Sequence, residues 1–214
     1  MFTGIIEEIG TVRAVKRSGI SSFIEIQAEK VLEDVHVGDS IAVNGVCLTV
    51  THFGSGIFRA DVMNETLSRS SLASLTAGSP VNLERAMAAN SRFGGHIVSG
   101  HIDGTGVISD IRNDGIAVWY TISTSAEIMR YIVEKGSVAI DGISLTVAKI
   151  TDSSFSVSII PHTALQTILG TKKKGDTVNL ENDIIAKYTE KLMKPAEPAE
   201  TSGITMEFLA KNGF

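Results

Sequence analysis

The chain has 214 residues, of which 43% are hydrophobic and 20% are charged, so it can bury a core and is not of the disordered class. Its net charge is −5, and its densest basic stretch is the triplet at 172–174, interpreted as a solvated turn, so no nucleic-acid partner is expected. The single cysteine, Cys47, excludes an intramolecular disulfide and a cysteine-based metal cluster. With no signal peptide and no long apolar run, a cytoplasmic protein without a membrane contact is expected.

The first half of the chain reads as short β-strands. Residues 23–27, 40–53 and 57–63 alternate or run apolar and are rich in Val, Ile, Thr and Phe, which is typical of strands. The Asn44-Gly45 dipeptide predicts a tight turn, because such turns need positive φ angles. A short helical piece is expected at 66–73.

The second half repeats this order of elements. It contains apolar segments at 117–123, 137–150 and 155–160, an Asp141-Gly142 turn, and expected helical pieces at 125–134 and 163–169. Residues 183–194 then place Ile, Tyr and Leu at helical spacing, followed by a linker at 195–203 and an apolar-containing tail. The apolar side of this last helix must pack either on the strands of its own chain, which are predicted below to form barrels, or on copies of the same helix.

The chain contains an internal duplication. IAVNGVCLTV (41–50) aligns with VAIDGISLTV (138–147) at an offset of 97, and VNLE (81–84) aligns with VNLE (178–181) at the same offset. Near the start the offset is 96, which places FTGIIEEIG (2–10) over VSGHIDGTG (98–106). We therefore predict an all-β fold of two similar domains, 1–96 and 97–183, each a small closed barrel, and a C-terminal segment 184–214.

Several motifs together resemble the riboflavin synthase family, whose members are also called lumazine-binding repeat proteins. These motifs are the initial MFTGI, the paired NGVCLTV and DGISLTV, FGGHIVSGHIDG, YIVEKGSVAIDG and VNLEND. The resemblance covers nearly the whole chain, from residue 1 to about residue 194. It implies two six-stranded antiparallel Greek-key barrels in tandem and a homotrimer joined by the C-terminal helix, with active sites between adjacent subunits.

The resemblance also implies the reaction. Family members convert two molecules of 6,7-dimethyl-8-ribityllumazine into riboflavin and 5-amino-6-ribitylaminouracil, without an external cofactor or metal, and association with a lumazine synthase is a further expectation. Accordingly, the sequence contains no dinucleotide fingerprint, phosphate-binding loop or metal-ligand cluster. The alternative is a non-catalytic lumazine- or flavin-binding antenna protein of the same fold, which would keep the barrels and lose the reactive residues.

His101 is the clearest break in the repeat. Copy one has Ile5 at this position, so the barrel does not need a histidine there to fold. A neutral imidazole can transfer a proton near pH 7, whereas the alternative is a hydrogen-bonded core histidine. With the family resemblance, His101 is the first catalytic candidate, and His96 is interpreted as structural.

The other catalytic candidates follow from the resemblance. Cys47, where copy two has Ser144, is placed near the reacting ring with an open role, and its alternative is a buried small hydrophobe. The remaining candidates are Ser40, Lys135, Asp141, Asp183 and Phe2. The alternative for the three ionisable side chains is a surface charge, and Asp141 could also be a turn former beside Gly142. The alternative for Phe2 is a core-filling residue, whereas Ser40 is placed where it could donate to the reacting centre.

The substrate-binding candidates are segments that occur in both copies. A ribityl chain and a pyrimidine edge need neutral donors and acceptors, which Thr side chains and backbone groups supply without the burial of a charge. In addition to Cys47, His101 and Lys135, these candidates are Thr3, Gly4, Ile5, Ile6, Leu48, Thr49, Asp61, Val62, Met63, Asn64, Glu65, Thr66, Gly100, Ile102, Ser144, Leu145, Thr146, Ile160, Pro161, His162, Thr163, Ala164 and Leu165.

Overall fold

The computed structural model describes residues 1–17, 22–193 and 206–213 and consists mainly of antiparallel strands. The first group of strands is β1 (Glu8–Lys16), β2 (Ser22–Gln27), β3 (Ser40–Val43), β4 (Val46–Gly54), β5 (Ile57–Val62) and β6 (Pro80–Arg85). The second group is β7 (Gly104–Asp114), β8 (Ala117–Ser123), β9 (Ser137–Ile140), β10 (Ile143–Ile150), β11 (Ser154–Ile159) and β12 (Thr177–Asn182).

Each group closes into a six-stranded barrel, as predicted. The strand order is β1-β2-β5-β4-β3-β6 in barrel 1, and barrel 2 has the equivalent order, β7-β8-β11-β10-β9-β12. Closure leaves no exposed sheet edge in either barrel. The interiors are filled by equivalent side chains, with Phe58 and Leu83 in barrel 1 and Phe155 and Leu180 in barrel 2, all fully buried.

The helices are short and lie outside the barrels. They are α1 (Asn64–Arg69), α2 (Ala126–Met129), α3 (Pro161–Gln166), α4 (Ile184–Met193) and α5 (Met206–Lys211), with 3-10 turns at Lys30–Leu32, Ser71–Ser74 and Ile168–Thr171. The helix predicted at 125–134 covers only four residues, while the linker predicted at 195–203 lies outside the described residues. Within the described ranges, no helix has the length and apolarity that crossing a membrane requires.

The two turn dipeptides meet where the barrels pack together. Asn44 and Gly45 have φ angles of 47° and 79°, and Asp141 and Gly142 have 45° and 81°, as tight hairpin turns require. A Cβ on Gly45 would lie 2.7 Å from the backbone nitrogen of Gly142, so the turns are in direct backbone contact. Only glycine allows this approach at a positive φ.

Asparagine side chains join the two barrels across these turns. The Asn82 Nδ2 donates to the Asp141 carbonyl at 2.9 Å, and the Asn179 Nδ2 donates to the Asn44 carbonyl at 2.8 Å. Asn82 and Asn179 occupy equivalent positions in the two VNLE motifs and are both fully buried. Because their buried polar atoms are satisfied only when both barrels are present, these bonds fix how the barrels pack.

The segment that precedes each barrel crosses over the other barrel. We name residues 2–6 strap 1 and residues 98–102 strap 2. Phe2 and Val98 pair through two backbone hydrogen bonds of 2.8 and 3.1 Å, so the straps run past each other. Ile6 then packs against the core of barrel 2, and Ile102 against the core of barrel 1. Barrel 1 is therefore covered in part by residues beyond position 96.

Candidate active site

The outer face of strands β3 and β4 carries three of the predicted site residues. Cys47 and Thr49 point outward because side chains alternate along the strand, and Ser40 on β3 pairs with Thr49. Paired residues project to the same side of a sheet, so these three side chains share one face. Leu48 points the other way, into the barrel interior, and is 4% exposed.

Barrel 2 presents the equivalent face on β10. Ser144 and Thr146 replace Cys47 and Thr49 and likewise point outward, while Leu145 is buried in the barrel. Six of the predicted contacts pack within or against the barrel cores, namely Ile6, Leu48, Val62, Ile102, Leu145 and Ala164. The side chains of Leu48, Val62 and Leu145 are buried in the cores, so they support the walls of the site from behind.

The straps lie directly over these two faces. The Gly100 carbonyl accepts a hydrogen bond from the Cys47 amide at 2.9 Å, and the Gly4 carbonyl accepts one from the Ser144 amide at 2.8 Å. A Cβ on Gly100 would come within 2.5 Å of the Cys47 Cβ, and a Cβ on Gly4 would come within 2.6 Å of the Ser144 Cβ. Each candidate half-site thus combines a wall from one barrel with a strap that begins the other.

The segments after β5 and β11 complete the two half-sites. Antiparallel pairing of β4 with β5, and of β10 with β11, places the end of the second strand beside the start of the first. The predicted segments 61–66 and 160–165 therefore begin next to the Cys47 and Ser144 ends of their strands. Their side chains are mostly exposed, including Met63 at 72% and Ile160 at 55%.

Two buried glutamates hold the straps. Glu84 on β6 accepts hydrogen bonds from the Thr3 amide and hydroxyl at 2.7 and 2.8 Å and from the Gly4 amide at 3.0 Å. Glu181 on β12 makes the equivalent bonds to Ser99 and Gly100. Burial raises the pKa of both carboxyl groups above the ordinary value, although the strap hydrogen bonds oppose this effect.

His96 and His101, which lie in the segment between β6 and β7, differ in their surroundings. His101 lies exposed on strap 2, with its Nδ1 3.1 Å from the Ser99 hydroxyl. His96 is buried, and its Nδ1 lies 2.7 Å from the Ser144 hydroxyl of the barrel 2 half-site. Burial lowers the pKa of His96, with a smaller opposing effect from the charge of Asp183. His96, interpreted from the sequence as structural, therefore also touches a candidate site residue.

The side chains of Phe2 and Asp141 are buried and are not exposed in either half-site. Phe2 is 1% exposed and packs with Ala42, Val98 and Ala139 between the barrels, so its core-filling interpretation is the one observed. Asp141 has no exposed surface, and its interpretation as a surface charge is therefore wrong. Direct contact of either side chain with a substrate has no support in their positions.

Asp141 instead forms a buried ion pair. Its Oδ1 accepts from the Asn179 amide at 2.8 Å, and its Oδ2 lies 3.4 Å from the Lys172 Nζ. Burial raises the pKa of this carboxyl, and the charge of Lys172 opposes the rise. The Lys172 side chain is only 18% exposed, so the interpretation of the 172–174 triplet as a solvated turn is wrong for its first residue.

We predict that this pair is a structural unit that copy one builds from neutral residues. Copy one has Asn44 and Leu75 at the positions of Asp141 and Lys172. Asp141→Asn or Lys172→Leu alone should each reduce the free energy of unfolding, because a buried charge loses its partner. The expected loss lies near the lower end of the range of about 3–5 kcal/mol that is typical of a broken buried pair. The double variant should recover most of this loss in urea unfolding. A folded Asp141→Asn variant of normal stability without enzymatic activity would contradict the structural role.

Lys135 occupies a backbone conformation that lysine rarely adopts. Its φ is 66°, and its amide donates to the Val147 carbonyl at 2.8 Å. The equivalent residue in copy one is Gly38, with a φ of 100° and the same hydrogen bond, to Val50. A non-glycine residue in this region points to a role for its side chain, which is exposed here.

Lys135→Gly is therefore expected to separate function from stability. Glycine relieves the left-handed strain of about 1–2 kcal/mol but costs about 0.5–1 kcal/mol in chain entropy, so stability should change by less than about 1 kcal/mol. Turnover should fall, because the ammonium group is lost. Melting temperature and steady-state kinetics on one preparation would check this, and unchanged turnover would remove Lys135 from the site.

Some residues of the site were missed at the level of sequence. Glu84, Glu181 and Ser99 were not candidates, although the repeated VNLE motif contains both glutamates. A glutamate retained in both copies at the end of a strand was the available signal. Asp183, a predicted site residue, accepts a hydrogen bond from the Ile185 amide at 3.0 Å at the start of α4. Across the described residues, no group of three His, Cys, Asp or Glu side chains has the arrangement of a metal site.

Comparison with known proteins also finds two similar units in the chain. A family model for the lumazine binding domain matches residues 3–86 and again residues 99–183, so each matched unit begins with its strap. The riboflavin synthase of Actinobacillus pleuropneumoniae is 60% identical over 216 residues, covering 100% of both chains. The chain belongs to the riboflavin synthase family.

Other members of the riboflavin synthase family and related structures agree with this assignment. The riboflavin synthase of Bacillus subtilis (strain 168) is 50% identical over 215 residues and covers 100% of both chains. A solved structure of LumP complexed with riboflavin superposes with a TM-score of 0.79 at 25% identity, covering 85% of this chain and 99% of that chain. A second LumP structure, complexed with 6,7-dimethyl-8-(1'-D-ribityl) lumazine, superposes with a TM-score of 0.77 at 24% identity and shares the fold.

Proposed function

We propose that this protein converts two molecules of 6,7-dimethyl-8-ribityllumazine into riboflavin and 5-amino-6-ribitylaminouracil. One lumazine donates a four-carbon unit to the other, so all atoms of the substrates appear in the two products. The observation that carries the proposal is the pair of equivalent half-sites, one on β4 and one on β10, each covered by a strap. A reaction between two identical molecules needs two similar binding sites, and the duplication supplies them.

The two half-sites differ where the chemistry requires a difference. One lumazine must lose a proton from its C7 methyl group, and the other must accept a nucleophile. Barrel 1 offers Cys47 with His101 close by on strap 2, whereas barrel 2 offers Ser144 hydrogen-bonded to His96. These differences within a shared scaffold support different roles for the two bound molecules. We assign proton transfer to His101, whose side chain is exposed on its strap.

Binding of the ribityl chain and the pyrimidine edge is assigned to neutral groups. Thr49 and Thr146 point outward on equivalent strands, and the helices α1 and α3 offer Thr66 and Thr163 at equivalent positions. Hydroxyl and backbone groups of this kind satisfy a polar ligand without the burial of a charge. Holding both rings in place would convert a bimolecular encounter into a step within one complex.

The direct test is to incubate the purified protein with the lumazine alone. Formation of riboflavin and the aminopyrimidine in equal amounts, followed by absorbance and chromatography, is the expected result. A protein that binds lumazine with unchanged fluorescence yield over hours but forms no riboflavin would be an antenna protein instead. Absence of both binding and turnover would contradict either function.

We further propose that the complete site forms between subunits of a homotrimer. The helix α4 contacts its own barrel through polar residues, with the Lys187 Nζ 2.5 Å from Asp103 and with Glu190 bonded to Tyr131 and Arg130. Its apolar residues face outward instead, with Ile185 at 57%, Tyr188 at 62% and Leu192 at 82% exposed. An apolar stripe of this size supports packing against other copies of the same helix.

Charges placed on this stripe are expected to dissociate the trimer. The double variant Ile185→Glu with Leu192→Glu would bury like charges at the helix contact, which desolvation disfavours. Sedimentation velocity should then show monomers, and the activity assay should show a large loss of turnover. Ile116→Glu is the matched control, because Ile116 is 78% exposed in a turn far from α4 in the chain. A trimer that survives the double substitution would contradict the role of α4.

Two further expectations rest on the family resemblance alone. We propose a cytoplasmic location and an association with a lumazine synthase, which would supply the substrate. Cell fractionation would test the location, and co-purification from the source cells, with and without the lumazine synthase gene, would test the association.

A further inference from the structure

A chain of three side chains links the second barrel to His101. The Ser99 hydroxyl lies 2.7 Å from Glu181 Oε1 and 3.1 Å from His101 Nδ1. Glu181 is 1% exposed and lies on β12, whereas Ser99 and His101 lie on strap 2. No part of the proposed function above uses Glu181 or Ser99.

With Glu181 ionised, the hydrogen-bond pattern favours one direction for each contact. Glu181 Oε1 accepts from the Ser99 amide at 2.6 Å, and Oε2 accepts from the Gly100 and His101 amides at 3.0 and 3.1 Å. Backbone N–H groups can only donate, so both carboxylate oxygens are acceptors. The Ser99 hydroxyl has one hydrogen, and the shorter contact, to the carboxylate, takes it. The Ser99 oxygen also accepts from the His101 amide, at 3.3 Å, and its remaining lone pair faces the His101 ring.

We propose that Ser99 and Glu181 are positioning residues that hold neutral His101 with its proton on Nδ1. The Ser99 oxygen then accepts from Nδ1–H, which leaves Nε2 unprotonated and able to accept a proton. This inference deepens the proposed role of His101 in proton transfer and rests on it for its kinetic consequences. The assignment of the tautomer itself depends only on the hydrogen bonds.

Copy one contains the same anchor without a histidine. Thr3 occupies the position of Ser99, its hydroxyl donates to Glu84 at 2.8 Å, and Ile5 stands in place of His101. The carboxylate and hydroxyl therefore belong to the general strap anchor of both barrels. In copy two the same pair also orients an imidazole, because the histidine occurs only there.

The tautomer can be read directly by NMR. The protein contains five histidines, and in full-length protein labelled with 15N-histidine the His101 signals are identified by their loss in His101→Gln. We expect the Nδ1–H tautomer in the unmodified protein and a mixture of tautomers in Ser99→Ala. Ser99→Thr should restore the Nδ1–H form, because threonine makes this anchor naturally in copy one. A dominant Nε2–H form in the unmodified protein, or an unchanged spectrum in Ser99→Ala, would overturn the proposal.

Kinetics with the lumazine provide the second readout. Ser99→Ala should lower kcat by about tenfold with KM changed less than twofold, in line with the loss of one oriented hydrogen bond, and Ser99→Thr should restore kcat.

Thr3→Ala is the matched control for strap anchoring, and it should leave the His101 spectrum unchanged. If Ser99→Ala weakened binding and stability without changing the spectrum, a purely structural role would replace the proposal. An Nδ1–H spectrum in a protein that forms no riboflavin would defeat the proposed function and leave the tautomer assignment standing.

Discussion

His101→Gln is expected to lower turnover about 10²–10⁴-fold, or roughly 3–5 kcal/mol of barrier, with little change in lumazine affinity. Glutamine keeps a hydrogen-bonding group on strap 2 but cannot relay a proton. Copy one folds with Ile5 at this position, so the barrel has no structural need for the imidazole. The side chain is also exposed, so its replacement creates no cavity. Single-turnover rates and binding titrations on one preparation would measure the two effects separately.

The control for His101→Gln is His36→Gln, since the His36 side chain is 81% exposed outside both half-sites. This variant should keep normal turnover and normal stability. If the folded His101→Gln variant also kept normal turnover, His101 would not be a catalytic residue. The positioning of the two rings would then remain as the main source of rate.

Gly100→Ala is expected to have the largest structural effect on the barrel 1 half-site. The φ of Gly100 is 83°, which costs alanine about 1–2 kcal/mol. The added Cβ would also come within 2.5 Å of the Cys47 Cβ, and such overpacking costs typically about 1–3 kcal/mol. Strap 2 must therefore lift from β4, which would move His101 away from Cys47. We expect a loss of about 2–5 kcal/mol in stability and a severe loss of turnover.

Gly78→Ala separates the two causes. Gly78 has a φ of 89°, close to that of Gly100, but a Cβ there would meet no atom within 4 Å. This control should show only the backbone cost of about 1–2 kcal/mol and should keep normal turnover. Equal effects of the two substitutions on thermal melting and on activity would show that contact of strap 2 with Cys47 is unimportant.

Much of the fold was predictable from the sequence because it depends on local patterns. The duplication is visible as identical residues at a constant offset, and the strands follow from alternating apolar residues around two turn dipeptides. The positive φ angles of Asn44 and Asp141 confirm those turns. The helix α4 was also predicted within one residue at each end, since its apolar residues recur at helical spacing.

Part of the candidate site was predictable for the same reason. The difference between His101 and Ile5 stands out only because the rest of the repeat is so regular. The outward direction of Cys47 and Ser144 follows from strand alternation once the register is known. Family resemblance supplied the other candidates, and it could not separate side chains that face the ligand from those, such as Leu48 and Leu145, that fill the barrels.

Only the tertiary structure decided the contacts between residues distant in the chain. The exchange of straps joins Gly4 to Ser144 and Gly100 to Cys47 across the two barrels, and no local pattern encodes a partner more than 50 residues away. The burial of Asp141 against Lys172 was missed for the same reason, because a charged residue in a turn is ordinarily exposed. The sequence by itself determined two similar barrels and a histidine that breaks the repeat at position 101. Packing of the two barrels, which brings strap 2 onto β4 and its backbone onto Glu181, determined what surrounds that histidine, because buried polar groups require partners that are distant in the chain.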